Sequence, residues 1–291
     1  MPDRDAAVDL NQAGHEASER GDRVAAERAY RDAIAADPEW SVPYYNLGLL
    51  CKYAGRWEES ATLNARAAEL SPDDQAAWWN LGIAATALGQ WREARRAWRA
   101  CGVTVDDGDD PPVFNWGQTP IRLDAADAAE VVWARRLDPA RARIVSVPLP
   151  TAAERWGDVV LNDGARDGER VVDGRTYPVF NALAVLEPSP FETFVVELAT
   201  LPDGAIDVLE TIAEEQGGAA EHWGEATRIL CRDCSHGVVH HHHDGDESPA
   251  HPHCGLAALD AAQAEAILAR WLEQTGADVI KWYVAPRSSP A

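Results

Sequence analysis

Positive charge is scarce in this chain. Lysine and arginine together number 26 against 48 aspartates and glutamates, a formal charge of −22 over 291 residues. That balance speaks against nucleic acid, whose phosphates would be repelled, and against anionic membrane surfaces. Long apolar runs are missing too, and nothing approaches the roughly 20 residues that a membrane-crossing helix needs. The start, Met1 to Val8, is charged and lacks the apolar core of a secretory signal. A soluble cytoplasmic protein is therefore expected. The sequence has no H-E-x-x-H, no G-x-S-x-G and no phosphate-binding glycine loop. Five cysteines are too few and too unevenly placed for a disulfide framework.

What is present is enough apolar surface for real cores: 46% of residues are hydrophobic and 12 are tryptophan. Disorder throughout is excluded on that ground, and the length suggests two domains. The first third is periodic. Tyr44, Leu47, Gly48, Cys51, Gly55, Ser60, Ala67 and Pro72 have counterparts 34 residues earlier in Leu10, Ala13, Gly14, Ala17, Gly21, Ala26, Ala33 and Pro38. The same step forward meets Trp78, Leu81, Gly82, Ala85, Gly89, Ala94 and Cys101, then Asp106 in the proline slot. Small residues at fixed offsets let helices cross closely, and the bulky Tyr30 and Trp98 fill the gaps between them. Gly21, Gly55 and Gly89 fall where a turn needs a positive φ, and Pro38 and Pro72 separate one helix pair from the next.

This spacing resembles the tetratricopeptide repeat (TPR) family, from about residue 7 to 104. The resemblance implies an all-α array of three helix pairs over 1–104 whose first helices line a concave groove. Carried onto this sequence, the groove comprises Asn11 and His15, then Tyr45, Asn46, Leu49 and Lys52, then Trp79, Asn80 and Ile83. Aromatic and apolar side chains in a concavity are binding anchors, so a protein or peptide partner is expected there. The alternative occupant is the chain's own C-terminal domain, docking intramolecularly. Relatives that clamp a carboxylate terminus need basic groove walls, and here only Lys52 is offered.

Residues 105–112 form an acidic Gly/Pro stretch that reads as a linker, with no polar capping helix. The remaining 113–291 reads as an α+β domain with a mostly antiparallel sheet. Strands are expected at 143–147, 158–161, 170–172, 175–180, 184–186, 194–198 and 279–284. Asp173-Gly174 marks a tight hairpin and Asp163-Gly164 a second turn. Amphipathic helices fit 205–216 and 260–276, the second with Asp260 as N-cap and Gly276 as its end.

Between these helices lies a Cys/His segment, 231–254. Cys231-x2-Cys234, sixteen further residues, then His251-x2-Cys254 is the two-pair spacing of a zinc site. His251 suits the fourth position by spacing, with His253 as the alternative. Gly255 suggests a turn whose N–H groups face the thiolate. The run His240, His241, His242 and His243, among acidic neighbours, is a second, looser set of metal ligands. Three thiolates and one imidazole fill a tetrahedron and leave no place for water, so Zn²⁺ would be structural. The leading reading is a TPR adaptor with a zinc-stabilised C-terminal domain. Metal handling through the histidine run and a zinc-dependent enzyme are the alternatives.

Overall fold

The computed structural model describes residues 2–114, 116–123, 130–224 and 253–286. The chain divides into two compact units, residues 1–114 with Asp138–Ala140, and the rest from residue 115 onward.

The first unit is three antiparallel helix pairs: α1 (Arg4–Glu19) with α2 (Arg23–Ala36), α3 (Ser41–Tyr53) with α4 (Trp57–Leu70), and α5 (Gln75–Ala87) with α6 (Trp91–Ala100). Gly21, Gly55 and Gly89 have φ of +76°, +68° and +66° in the turns within the pairs. The glycine inside each first helix is a seat for the second. A Cβ on Gly14 would lie 2.6 Å from the Tyr30 ring, on Gly48 2.5 Å from the Asn64 amide, and on Gly82 2.4 Å from the Trp98 ring. The small slot and the bulky slot sixteen residues later are thus one contact, repeated. The aromatic and proline slots are linked as well. Tyr44 Oη donates to the Pro38 carbonyl (3.3 Å) and Trp78 Nε1 to that of Pro72 (2.9 Å), pinning each new pair to the turn before it.

Pairs are also tied laterally. Glu27 on α2 accepts two hydrogen bonds from Arg56 (3.1 and 2.7 Å) and one from Arg31 (2.8 Å). Arg56 first, then Arg31, hold its carboxyl at about 2, well below the ordinary 4.5. A depressed carboxylate adds stability that is complete above the unfolded value and is lost as pH falls through the folded one. The array should therefore weaken between about pH 4.5 and pH 2, and Glu27→Gln should flatten that decline. Urea midpoints across this range check it; parallel curves for the two proteins would reject the tie.

The acidic stretch expected as a free linker is laid back along α6. Three arginines one turn apart on that helix hold it: Arg99 donates to the Val105 carbonyl (3.1 Å) and Asp107 (2.6 Å), and Arg95 to the carbonyls of Asp106 (2.9 Å) and Asp110 (2.6 Å). Arg92 pairs with Asp109 through both carboxylate oxygens. This strap stands where a capping helix would. Trp98 fills the gap expected of it, pointing inward onto Gly82 and meeting Trp79 edge-on at 5.1 Å.

The second unit holds two sheets. β1 (Gln118–Arg122), β2 (Val131–Arg136), β3 (Arg141–Ile144), β4 (Val159–Val172) and β5 (Arg175–Glu187) form a closed barrel in sequence order. Each strand runs antiparallel to the next, and β1 closes on β5 in parallel. Asp173 (φ +51°) and Gly174 (φ +72°) make the expected hairpin turn between β4 and β5. Asp163-Gly164 is not a turn. The Asp163 carboxylate accepts from the N–H groups of Gly164 and Ala165, and the register slips there, so 158–161 and 170–172 belong to one bulged strand. The segments at 175–180 and 184–186 likewise merge into β5.

The second sheet has the order β7-β8-β6-β9, from β6 (Glu192–Thr200), β7 (Ala219–His222), β8 (His253–Ala258) and β9 (Asp278–Val284). With α7 (Ala205–Glu215) after β6 and α8 (Ala261–Thr275) after β8, the chain reads β-α-β-β-α-β, all neighbours antiparallel. This is the split-βαβ arrangement of ferredoxin-like domains. Its core packs Val196, Leu198 and Leu256 against Leu209, Ile212, Ile267 and Trp271. Asp260 caps α8, accepting from the Gln263 N–H (2.9 Å), and Gly276 ends it at φ +68°. The Gln263 side chain reaches back to the Leu259 N–H (2.7 Å). Val147, in the barrel's β3–β4 connection, joins the two sheets. Its N–H donates to Glu221 (2.8 Å) and its carbonyl accepts from Trp223 Nε1 (3.0 Å).

Candidate functional site

The inner face of the array is built by the first helix of each pair. On α1, His15 is exposed and lies 3.4 Å from Glu19, and Asn11 is half-buried. Its side-chain oxygen accepts from the Asn46 amide at 2.9 Å, an inter-repeat bond that sets α1 against α3. On α3, Val42 is exposed, and Tyr45 and Leu49 are half-buried. Beyond them the face is closed. Lys52, Asn80, Ile83 and Thr86 are all buried, and Trp79 is half-buried. The Lys52 ammonium donates to the Asn80 side chain (3.1 Å) and lies 4.4 Å from the Tyr53 ring. α5 has no charged residue from Gln75 to Ala87, and a helix apolar all round is a buried one. The expected groove residues therefore fall into an accessible set on α1 and α3 and an interior set centred on α5.

The Cys/His residues divide differently. Cys231, Cys234, His251 and the run from His240 to His243 lie outside the described residues. Cys254 is in β8, fully buried among the apolar side chains beneath the helices, and burial pushes its thiol up to about 12. Neighbouring residues of a strand point to opposite faces, so His253 does not share the side of Cys254. Gly255, expected in a turn, is mid-strand. A Cβ there would lie 2.4 Å from the Trp223 ring, so this glycine makes room for the indole on the sheet's other face.

The register brings in a residue that spacing did not single out. His222 closes β7 and pairs directly with Cys254 across the ladder. Directly paired residues point to the same face, as the preceding pair Ala220–Leu256 shows by meeting the same core. Both ring nitrogens of His222 are shielded from solvent. The available signal was the short alternating stretch after Gly217-Gly218, which reads as a loop unless β8 is already known to lie beside it. Among the described residues no three His, Cys, Asp or Glu side chains converge on one point. No described helix is long and apolar enough to cross a membrane.

No family model and no curated protein matches the chain. Among solved structures, the second TPR of Spaghetti (RPAP3) bound to the HSP90 peptide SRMEEVD is 22% identical, over 34% of this chain and 91% of that one, with a TM-score of 0.33. The Arabidopsis OM64 TPR domain is 17% identical over 34% and 81%, with a TM-score of 0.32. The Sgt2 TPR domain from Aspergillus fumigatus is 22% identical over 35% and 66%, also at 0.32. The 34-residue period, the three helix pairs and the thrice-repeated seating of a second-helix side chain on a first-helix glycine stand together. On those grounds residues 7–104 are tetratricopeptide repeats.

Proposed function

We propose that this chain is an adaptor whose repeats hold a segment of a partner protein against α1 and α3, and whose C-terminal lobe is stabilised by zinc. One observation carries the first half. Val42, Tyr45 and Leu49 keep apolar surface at the inner face, next to the Asn11–Asn46 amide pair. Amides beside apolar side chains suit a neutral extended segment, whose backbone they can bond while its side chains are buried. A carboxylate-terminal peptide suits the face less well, because the lysine on it is buried and its ammonium is engaged with Asn80.

The second half rests on Cys231, Cys234 and Cys254 with one histidine, a closed shell of the structural kind. For such a lobe the metal's binding free energy, about 10–16 kcal/mol in small zinc modules, is folding free energy.

A photo-crosslinking amino acid at Val42, compared with one at Arg28 on the outside of α2, tests the adaptor reading. The expected result is one discrete product from position 42, lost when Tyr45→Ala and Leu49→Ala are added, with melting unchanged. Equal labelling at the two positions would reject a binding face. A product whose tryptic map contains only peptides of the same chain would assign the face to the protein's own C-terminal domain.

A further inference from the structure

We propose that the outer edge of β9 is a self-association site, where two copies of this chain join their split-βαβ sheets by antiparallel β9–β9 pairing about a two-fold axis at Tyr283. β9 is the last strand of its sheet, and among the described residues no strand lies beyond it. The ladder fixes which backbone groups point outward. The Ala285 N–H donates to the Thr193 carbonyl (2.8 Å), so the groups of residue 285, and by alternation those of 283 and 281, face β6. The N–H and C=O of Trp282 and Val284 therefore face away from the sheet. A row of this kind is a template for another strand, and proteins commonly guard it with a short strand, a charge or a proline. The opposite edge is guarded by shortness, since β7 has four residues. β9 is more open: Tyr283 and Val284 are 42% and 49% exposed, and its lysine, Lys281, is engaged by Glu197 at 3.0 Å.

The occupant is a second copy because the open stretch complements itself. It is bounded on one side by the slip in register at Ile280 and on the other by Pro286, which has no N–H and whose carbonyl accepts from Arg155 (3.2 Å). Between these limits, an axis at Tyr283 sets Trp282 opposite Val284 of the second copy, and Val284 opposite its Trp282. Both are hydrogen-bonded pairs, four bonds in all from the two outward residues of each strand. Trp282 packs on the helix side of the sheet with Phe194 (5.8 Å). Val284, two residues on, shares that side, so the joined sheets keep one core face. The two Tyr283 rings meet at the non-bonded position, where side chains come closest. Charge favours the same register. Lys281 lies diagonal to the second Tyr283, within reach of a long side chain, and its ammonium is already 5.5 Å from its own Tyr283 ring. An axis at Lys281 would instead oppose two ammonium groups beside the bulge. A single strand pair buries less than the ~1,200 Å² of a stable complex, so the dimer is weak, with a Kd on the order of 10 μM or above. Each copy carries a formal −22, so salt should tighten the pairing by screening repulsion. Such a dimer carries two repeat arrays, and on the adaptor reading above it favours partners that present two segments.

Sedimentation velocity of the full-length protein over a concentration series, at low and high salt, tests this. Wild type should pass from monomer to dimer, and at lower concentration when salt is added. Val284→Pro should weaken the dimer by about tenfold or more, because two of the four bonds are lost. Its melting should stay close to wild type, since the N–H removed is not one that β6 uses. Tyr283→Lys and Tyr283→Glu should each be monomeric, with like charges opposed at the axis. Mixed, they should form a dimer, a recovery that misfolded protein cannot give. Wild type that stays monomeric at the highest concentration overturns the proposal. Trp282 and Val284 amides protected from hydrogen exchange in that monomer would assign the edge to the protein's own chain. A dimer that survives all three substitutions overturns the site, as does assembly beyond the dimer, which a closed two-fold contact forbids. None of these outcomes bears on the inner face of the repeats, whose test is the crosslink at Val42.

Discussion

Arg155→Ala is expected to cost the second unit about 3–5 kcal/mol, from the loss of a large buried side chain together with its charge-assisted hydrogen bonds. Arg155 is almost wholly buried in the connection between β3 and β4. Its Nη1 donates to the carbonyls of Ala152 (2.8 Å), Ala153 (3.3 Å) and Glu154 (2.9 Å). Its Nη2 donates to the carbonyl of Pro286 (3.2 Å), just beyond β9. One guanidinium thus fastens a barrel loop to the end of the split-βαβ sheet. Asp158 braces the same loop, accepting from the N–H groups of Arg155 (2.8 Å) and Ser189 (2.6 Å). Against a usual margin of about 5–15 kcal/mol for a whole domain, this loss is severe. Arg155→Lys should recover less than half of it, because a point charge on a flexible stem cannot serve four carbonyls arranged for a planar fork. Urea titration of both variants, followed by tryptophan fluorescence, decides the matter. An unchanged midpoint for the alanine variant would mean that the loop holds its shape without the guanidinium.

Gly82→Ala is the second large effect, and its sign opposes helix propensity. In an exposed helix the exchange would gain about 1 kcal/mol. Here the new methyl would lie 2.4 Å from two atoms of the Trp98 ring. That ring is fully buried and wedged against Trp79, so it has nowhere to move. Overpacking costs about 1–3 kcal/mol or more, and the unyielding neighbour places this case at the upper end, for a net loss of ~2 kcal/mol. Trp98→Leu alone should also destabilise, by opening a cavity. Combined, the two should cost less than their sum, since residues in contact couple by about 0.5–3 kcal/mol. Additive midpoint shifts in the double variant would show that glycine and tryptophan are not one contact.

The repeats were legible in the chain because the structural needs recur at the same step: a glycine seat, a side chain sixteen residues on that fills it (an aromatic ring in two repeats, Asn64 in the middle one), a turn glycine. α7, α8, the Asp173-Gly174 hairpin and β9 were legible from local period and capping. β1, β2, β7 and β8 were not. Val131–Arg136 opens on Val-Val-Trp but ends in two arginines without alternation, and Ala219–His222 is four residues with no β-branched side chain, so the first carries only part of a strand's local signature and the second none. Both are strands because a neighbour offers a ladder, which is a tertiary fact. The Cys/His residues show the same limit. Spacing pairs His251 with Cys254 by assuming a turn, whereas in a strand the partner of a residue is set by register. His222, thirty-two positions away in sequence, becomes the neighbour.

The acidic strap on α6 has a consequence for how long this array can be. A bare terminal helix would accept one more repeat, or the end of a second molecule. Here a newcomer would first have to dislodge three guanidinium groups from their oxygens. The number of repeats is thus limited by charge and not by a greasy lid. Added salt should loosen the outer latches at Arg92 and Arg99, while Arg95, bonded to main-chain carbonyls, keeps the door shut.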